Sequence, residues 1–252
     1  MLLVIETLHL IVSEPYTGRM DTTDLDLRSF PAASEYLADI YLIQRDYQEV
    51  SNARLARWLS VSSPAVTQAV GRLKKIGLVD QIRYGNVVLT EKGKAAAVAV
   101  LKRHYLLEHV LVNLLSYPWD KADEEARVLQ SHISKDLEDH IDLKLGYPQT
   151  CPHGNPMPGV AMERELLSAP RLDSVKTGDT LVILRITEEG EALDAMLPFC
   201  QARNIKPGSN FRVEAATAES ISLQSTGNQT ASSFAMPPAL AKHIGVRITS
   251  ST

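Results

Sequence analysis

The chain has 252 residues, with 26 Lys and Arg against 30 Asp and Glu and only two cysteines. That length suits two or three domains rather than one small one, and disulfide bonds are not needed to hold a chain of this size. A formal charge of −4 would exclude a nucleic-acid binder if it were evenly spread, but residues 30–105 hold 11 cations against 6 anions and residues 106–170 hold 5 against 11. A basic module joined to an acidic one leaves only the former suited to a phosphate backbone.

In chain order, residues 1–30 form an N-terminal extension without a clear partner pattern. Its MLLVIETLHLIV stretch lacks a basic start and a small-residue cleavage site, and is too short to span a bilayer, so a cytoplasmic protein with no membrane contact is expected. Tyr36, Leu37, Ile40, Tyr41 and Ile43 then mark an amphipathic helix, with Ser34 as its cap. Residues 51–80 read as helix, short turn, helix. In the second of these, Val66, Val70, Leu73 and Ile76 form one core stripe, and Ala65, Gln68, Arg72 and Lys75 are left on the free face. Ser63 before Pro64 predicts an N-cap and a helix start whose free N–H groups attract phosphate. Gln68 can bond an adenine edge in bidentate fashion, whereas Arg72 and Lys75 suit phosphates.

The alternation around Tyr84-Gly85-Asn86 predicts a β-hairpin, and three helices followed by a hairpin make a winged helix-turn-helix. Arg83 in the wing is a candidate phosphate contact. Thr90 caps a helix of about 25 residues. Its apolar surplus at Leu101, Leu107, Val110, Leu111, Leu114 and Leu115 suggests a dimer. A further helix or helix pair carries Ala126, Leu129, Ile133 and Leu137 on its stripe. The run from Pro148 to Gly159 then ends the helical part. From Thr180 the period changes to two, predicting a small β-barrel with a short helix between its first two strands.

The combination of SSPAVTQAVGRLKKIGLV, LTEKGKAAA, RHYLLEHVL and CPHGNPMPG, followed by a small barrel with an IKPG turn, resembles the full-length diphtheria toxin repressor family of metal-dependent regulators. The resemblance covers about residues 32–248. It implies a mainly α, α+β protein. Its parts are a winged helix-turn-helix over 31–95, a helical metal-binding and dimerisation domain over 96–165, and an SH3-like (FeoA-like) barrel over 175–250. It further implies a homodimer on double-stranded operator DNA that represses transcription in response to Mn²⁺ or Fe²⁺, and no enzyme. By the same resemblance Ser62, Pro64, Thr67 and Gln68 face base edges or nearby phosphates, and Asn52, Ala53 and Arg54 meet the DNA backbone.

His104 and Glu108, four apart on one helix, can hold a divalent ion between them. They fall on two ligand positions of one family metal site, whose third helical position is Asp123 and whose barrel ligand is Glu191 or Asp194. The nitrogen and carboxylate donors suit Mn²⁺ or Fe²⁺. The second family site has lost its ligands: its positions are Glu35, Arg127, Gln130 and Ser131 here. A fixed cation at Arg127 opposes a metal there, and a Glu35–Arg127 salt bridge is expected in its place. Cys151 occupies a position that binds metal in some manganese-sensing relatives, but with its partners substituted it reads as a structural thiol, and His153 as bonding backbone in its Pro-rich loop. A regulator binding DNA without metal control is the alternative. A metal-dependent hydrolase is disfavoured, since neither a nucleophile–base pair nor an HExxH motif occurs.

Overall fold

The computed structural model describes residues 31–81, 85–226 and 233–250. Three helices, α1 (Pro31–Tyr47), α2 (Asn52–Trp58) and α3 (Ser63–Lys75), lead into an antiparallel ribbon of β1 (Val79–Gln81) and β2 (Val87–Leu89). Leu37, Ile40 and Ile43 of α1, Leu55 of α2, Val66, Val70 and Leu73 of α3 and Val79 and Val87 of the ribbon are all buried in one core. Each such aliphatic contributes about 1.5–3 kcal/mol when buried. This is the winged helix-turn-helix arrangement.

Two details of α3 differ from expectation. Its N-cap is Ser62, not Ser63: the Ser62 hydroxyl accepts from the Ala65 N–H at 3.4 Å, and Pro64 occupies the first turn. Ile76 is 49 % exposed, off the core stripe, because the helix stops at Lys75. Gly77 N–H bonds Lys74 C=O and Leu78 N–H bonds Leu73 C=O, each at 3.0 Å, and that cap turns the chain before another helical turn can carry Ile76 inward. Ser34 lies inside α1 rather than capping it, since the helix already includes Pro31.

Helix α4 (Glu91–His109) is capped by Thr90, whose hydroxyl accepts from Gly93 N–H at 3.0 Å. It continues as a π-helical turn, Val110–Leu114. It is the spine of the molecule, packing α1 on one side and α5 (Ala122–Leu129) on the other. Of its apolar surplus, Leu101, Leu107 and Leu111 are buried within the chain, while Leu114 and Leu115 remain exposed. The acidic segment is a helix pair, α5 and α6 (Lys135–Lys144). Ala126 is buried, but Leu137 of the expected stripe is exposed, because α6 turns Glu138 and Asp142 inward to pair with Arg103 and Lys102 at 2.9 and 2.5 Å.

After a short α7 (Glu163–Ser168), five strands form an antiparallel sheet: β3 (Thr180–Ile186), β4 (Asn210–Ala216), β5 (Ile221–Ser225), β6 (Ser233–Met236) and β7 (Ile244–Ser250). The order is β6-β5-β4-β3-β7, the order of an SH3-like barrel. Two short helices, α8 (Glu188–Glu191) and α9 (Met196–Ala202), stand between β3 and β4 where one was expected, and α10 (Pro238–Ala241) precedes β7. Trp119, which opens the turn before α5, is buried in the core of this sheet, so the sheet is docked on the helical region.

Candidate metal centre

His104 and Glu108 project from one face of α4, as their spacing requires. His104 Nε2 lies 3.0 Å from Asp123 Oδ1 on α5 and 2.9 Å from Glu108 Oε1. The other oxygen of Glu108 is 3.0 Å from Nδ1 of His153 in the Pro-rich loop, and that nitrogen is also 3.2 Å from Glu191 Oε2 on α8. His153 Nε2 bonds Trp119 C=O at 3.0 Å. Two groups of possible ligands therefore share Glu108: His104, Glu108 and Asp123, and Glu108, Cys151 and His153, each with its donor atoms within 4.8 Å of one another.

The electrostatics are those of a site built for positive charge. Burial opposes protonation of His104, but Asp123 and Glu108 outweigh it and hold its pKa up to about 10. Burial would raise Glu108, yet His153 and His104 bring it down to about 2. Asp123, partly buried, is held well below the usual carboxylate range by His104 and Arg127, against the opposing effect of desolvation. Burial lifts Glu191 to about 8 against the pull of His153, and it pushes the Cys151 thiol well up. Glu108 Oε1 is buried and makes no hydrogen bond of good geometry although His104 Nε2 is near. One N–H between two carboxylate oxygens satisfies only one of them. A divalent cation in the proton's place would engage all three donors, so the residues fit a metal.

The structure brings together His104, Glu108, Asp123 and Glu191. Asp194 is exposed, whereas Glu191 Oε2 lies 3.2 Å from His153 Nδ1, so of the two barrel carboxylates Glu191 faces the cluster. One prediction changes. Arg127 does not bridge to Glu35: its Nη2 is 3.2 Å from Asp123 Oδ2, and no ion pair to Glu35 occurs among the described residues. The i,i+4 spacing on α5 stacks Asp123 one turn from Arg127 on the same helix face. Both Glu35 and Arg127 nevertheless line one cavity of about 320 Å³, together with Asp39, Gln130 and Glu188. His153 does bond a backbone carbonyl, but its other nitrogen belongs to the cluster. Cys151, read as a structural thiol at a position that binds metal in some relatives, lies beside it with its sulfur within reach of the same donors. Glu188 was not singled out by its sequence context; its carboxylate bonds the Tyr105 hydroxyl and lies 3.8 Å from Arg45 Nη2.

On the other face of the winged domain, Ser62, Ser63, Pro64, Ala65, Thr67, Gln68, Arg72 and Lys75 are all exposed. Asn52 Nδ2 donates to Thr67 Oγ1 at 3.2 Å and Gln81 Nε2 to Asn52 Oδ1 at 3.0 Å, tying α2, α3 and the ribbon into one polar surface. Ala53 is exposed on that side, whereas Arg54 is half-buried with its guanidinium over the Tyr47 ring at 4.6 Å. Arg83 lies outside the described residues, as do residues 1–30.

A winged helix-turn-helix with an exposed polar reading helix, tied to a buried cluster of His, Glu, Asp and Cys, defines a DNA-binding protein of the metal-responsive class. Residues 30–87 match the family model described as iron dependent repressor, N-terminal DNA binding domain. Residues 90–159 match iron dependent repressor, metal binding and dimerisation domain. The iron-dependent repressor IdeR of Mycobacterium tuberculosis is 29 % identical over 206 residues, covering 77 % of this chain and 88 % of that protein. The diphtheria toxin repressor of Corynebacterium efficiens is 31 % identical over 163 residues, 63 % and 70 % of the two chains. Among solved structures, a manganese-dependent transcriptional repressor in complex with manganese has a TM-score of 0.72 at 34 % identity, covering 85 % of this chain and 98 % of its own. The chain belongs to the iron-dependent repressor family, which includes the diphtheria toxin repressor.

Proposed function

We propose that this protein is a metal-dependent transcriptional repressor that senses Mn²⁺ or Fe²⁺ and binds double-stranded operator DNA as a homodimer. The observation that carries the metal assignment is Glu108, a buried carboxylate with an imidazole at each oxygen and one oxygen short of a good hydrogen bond. His104, Glu108 and Asp123 would hold the ion, with Cys151, His153 and Glu191 as the adjoining donors. A bound divalent ion would supply the charge that the Glu108, Asp123 and Glu191 carboxylates require.

Metal preference follows from donor softness. The oxygen-rich His104 side favours Mn²⁺ or Fe²⁺, while the Cys151 side adds a softer ligand. Gln68 and Thr67 read base edges, and Arg72 and Lys75 neutralise phosphates beside them. The exposed apolar residues Leu114, Leu115, Val128, Leu137 and Leu143 supply the surface on which two copies associate. No described helix is long and apolar enough to cross a membrane; a cytoplasmic, non-enzymatic role fits the assignment.

Calorimetric titration with Mn²⁺ and Fe²⁺, followed by DNA binding with and without chelator, tests the proposal. Metal should tighten DNA binding by about tenfold or more, the usual scale of such coupling. Equal DNA affinity in chelator would reject it.

A further inference from the structure

The polar cluster does not end at Glu191. Its Oε1 accepts from Asn155 Nδ2, which also donates to Ile186 C=O at 2.8 Å. Asn155 Oδ1 accepts from Arg185 Nη1 at 3.1 Å, and Arg185 Nη2 reaches Asp46 Oδ2 at 3.3 Å. The other oxygen of Asp46 accepts from Arg45 Nε at 3.0 Å. Arg45 and Asp46 lie in the last turn of α1, the helix whose Leu37, Ile40 and Ile43 pack beneath the reading helix. A continuous line of polar contacts thus runs from the cluster, through strand β3 of the sheet domain, into the DNA-binding head.

This line is built into the interior. The side chains of Arg185 and His153 are 0 % exposed, Asp46 2 % and Arg45 5 %. Two backbone approaches make room for Arg185. At Gly154, with φ +91°, a Cβ would sit 2.2 Å from Leu184 C=O and 2.8 Å from Arg185 Cα; at Gly245 it would meet Arg185 Cγ at 3.1 Å. A guanidinium this deep requires partners with fixed geometry, and removing one leaves an uncompensated buried charge. An apolar side chain would fill the same space without that demand. What the charge adds is a link whose two ends, Asn155 and Asp46, belong to different domains.

We infer that Arg185 and Asp46 are positioning residues that transmit the state of the metal centre to the reading head. The inference rests on the proposed function. Whatever holds Glu191 in place holds Asn155, hence Arg185, hence the end of α1. Releasing Glu191 frees the head to move against the sheet domain. Coupling of this kind is a free-energy difference between two arrangements of the same contacts.

The test uses the full chain with Asp46→Asn, Arg185→Lys and the charge-conserving Asp46→Glu. The probe is a duplex selected from a random pool by the wild-type chain in Mn²⁺. Mn²⁺ affinity is measured without DNA, DNA affinity with Mn²⁺ or chelator, and amide hydrogen exchange in α1 with and without Mn²⁺. In the wild type, Mn²⁺ should tighten DNA binding at least about tenfold and slow exchange in the last turn of α1. Asp46→Asn and Arg185→Lys should bind Mn²⁺ within about threefold of wild type yet lose most of the Mn²⁺ effect on DNA and on exchange, and Asp46→Glu should restore at least half of it. A full Mn²⁺ response in Asp46→Asn and Arg185→Lys, a parallel loss of Mn²⁺ affinity, or no restoration by Asp46→Glu overturns the relay alone. Should the substituted chains not fold, wild-type exchange in α1 that ignores Mn²⁺ while DNA binding responds overturns it equally. A wild type whose DNA binding ignores Mn²⁺ overturns the repressor assignment and the relay with it.

Discussion

Arg127 and His104 share one carboxylate: Asp123 Oδ1 lies 3.0 Å from the imidazole and Oδ2 3.2 Å from the guanidinium. Arg127 thereby competes with any cation for the electrons of Asp123, from a position about half exposed to solvent. Arg127→Gln should tighten metal binding by about five- to tenfold, in keeping with the roughly 1 kcal/mol of a partly screened pair. Calorimetry on the two proteins checks this; an unchanged or weaker affinity would show that Arg127 supports the ligand rather than competing with it.

Glu108 is common to both ligand groups, so it has no substitute. Glu108→Gln should weaken metal binding by more than about 100-fold, while Asp123→Asn, at the edge of one group, should cost less. Reversal of that order in a titration with Mn²⁺ would place the ion away from Glu108.

Asp39 is buried on α1, and burial lifts its pKa from 3.8 to about 6 against the opposing influence of Arg127 and a hydrogen bond from Trp58. Between pH 4 and pH 6 the folded chain keeps a proton that the unfolded chain releases, so stability falls as pH rises through that window. The loss is complete above the folded value and amounts to roughly 3 kcal/mol at most, from about 1.4 kcal/mol per unit. Asp39→Asn keeps an oxygen for Trp58 Nε1 and should flatten the profile. Urea unfolding of both proteins at a series of pH values measures it, and identical slopes would refute it.

Gly93 has no room for a side chain, since a Cβ there would lie 1.8 Å from the Leu78 carbonyl oxygen. Helix propensity alone favours Ala, but overpacking should prevail: Gly93→Ala should destabilise the winged domain by about 1–3 kcal/mol. A raised thermal midpoint would contradict this.

At the DNA face, Arg72→Ala should weaken binding to all duplexes alike and lower the salt slope by about 1, whereas Gln68→Ala should relax preference at a base pair. Competition binding at several salt concentrations separates the two. A sequence-selective loss in Arg72→Ala would reassign it to a base edge.

The local features were legible in the sequence because they repeat at short range. The Val66, Val70, Leu73 stripe is written in a 3.6-residue period, Thr90 announces its own helix, and His104 and Glu108 stand one turn apart. Ile76 leaves the core because the apolar period runs on past Lys75, where the helix ends and Gly77 turns the chain. The Arg127 partner is not legible in the sequence because Glu35 and Asp123 both border the same cavity and only tertiary geometry ranks them. The His153, Glu191, Asn155 and Arg185 contacts join segments 30 or more residues apart, and no local period encodes them. One signal was available: in TLVILRI, Arg185 follows Leu181 and Ile183 at spacing two, on the face that strand alternation turns inward.

Helix α8 is only four residues long, yet Glu188 meets Arg45 and Tyr105, Glu189 bonds Tyr47, and Glu191 meets His153. Successive helical residues are turned by about 100°, so its three carboxylates radiate and between them reach α1, α4 and the Pro-rich loop. Adding or deleting one residue between Thr187 and Glu191 would rotate those aims past their targets at once. A side-chain replacement in this segment perturbs the contacts of one carboxylate, but its length governs all of them. Among homologous chains, α8 is where the residue count should drift least, even where the letters change.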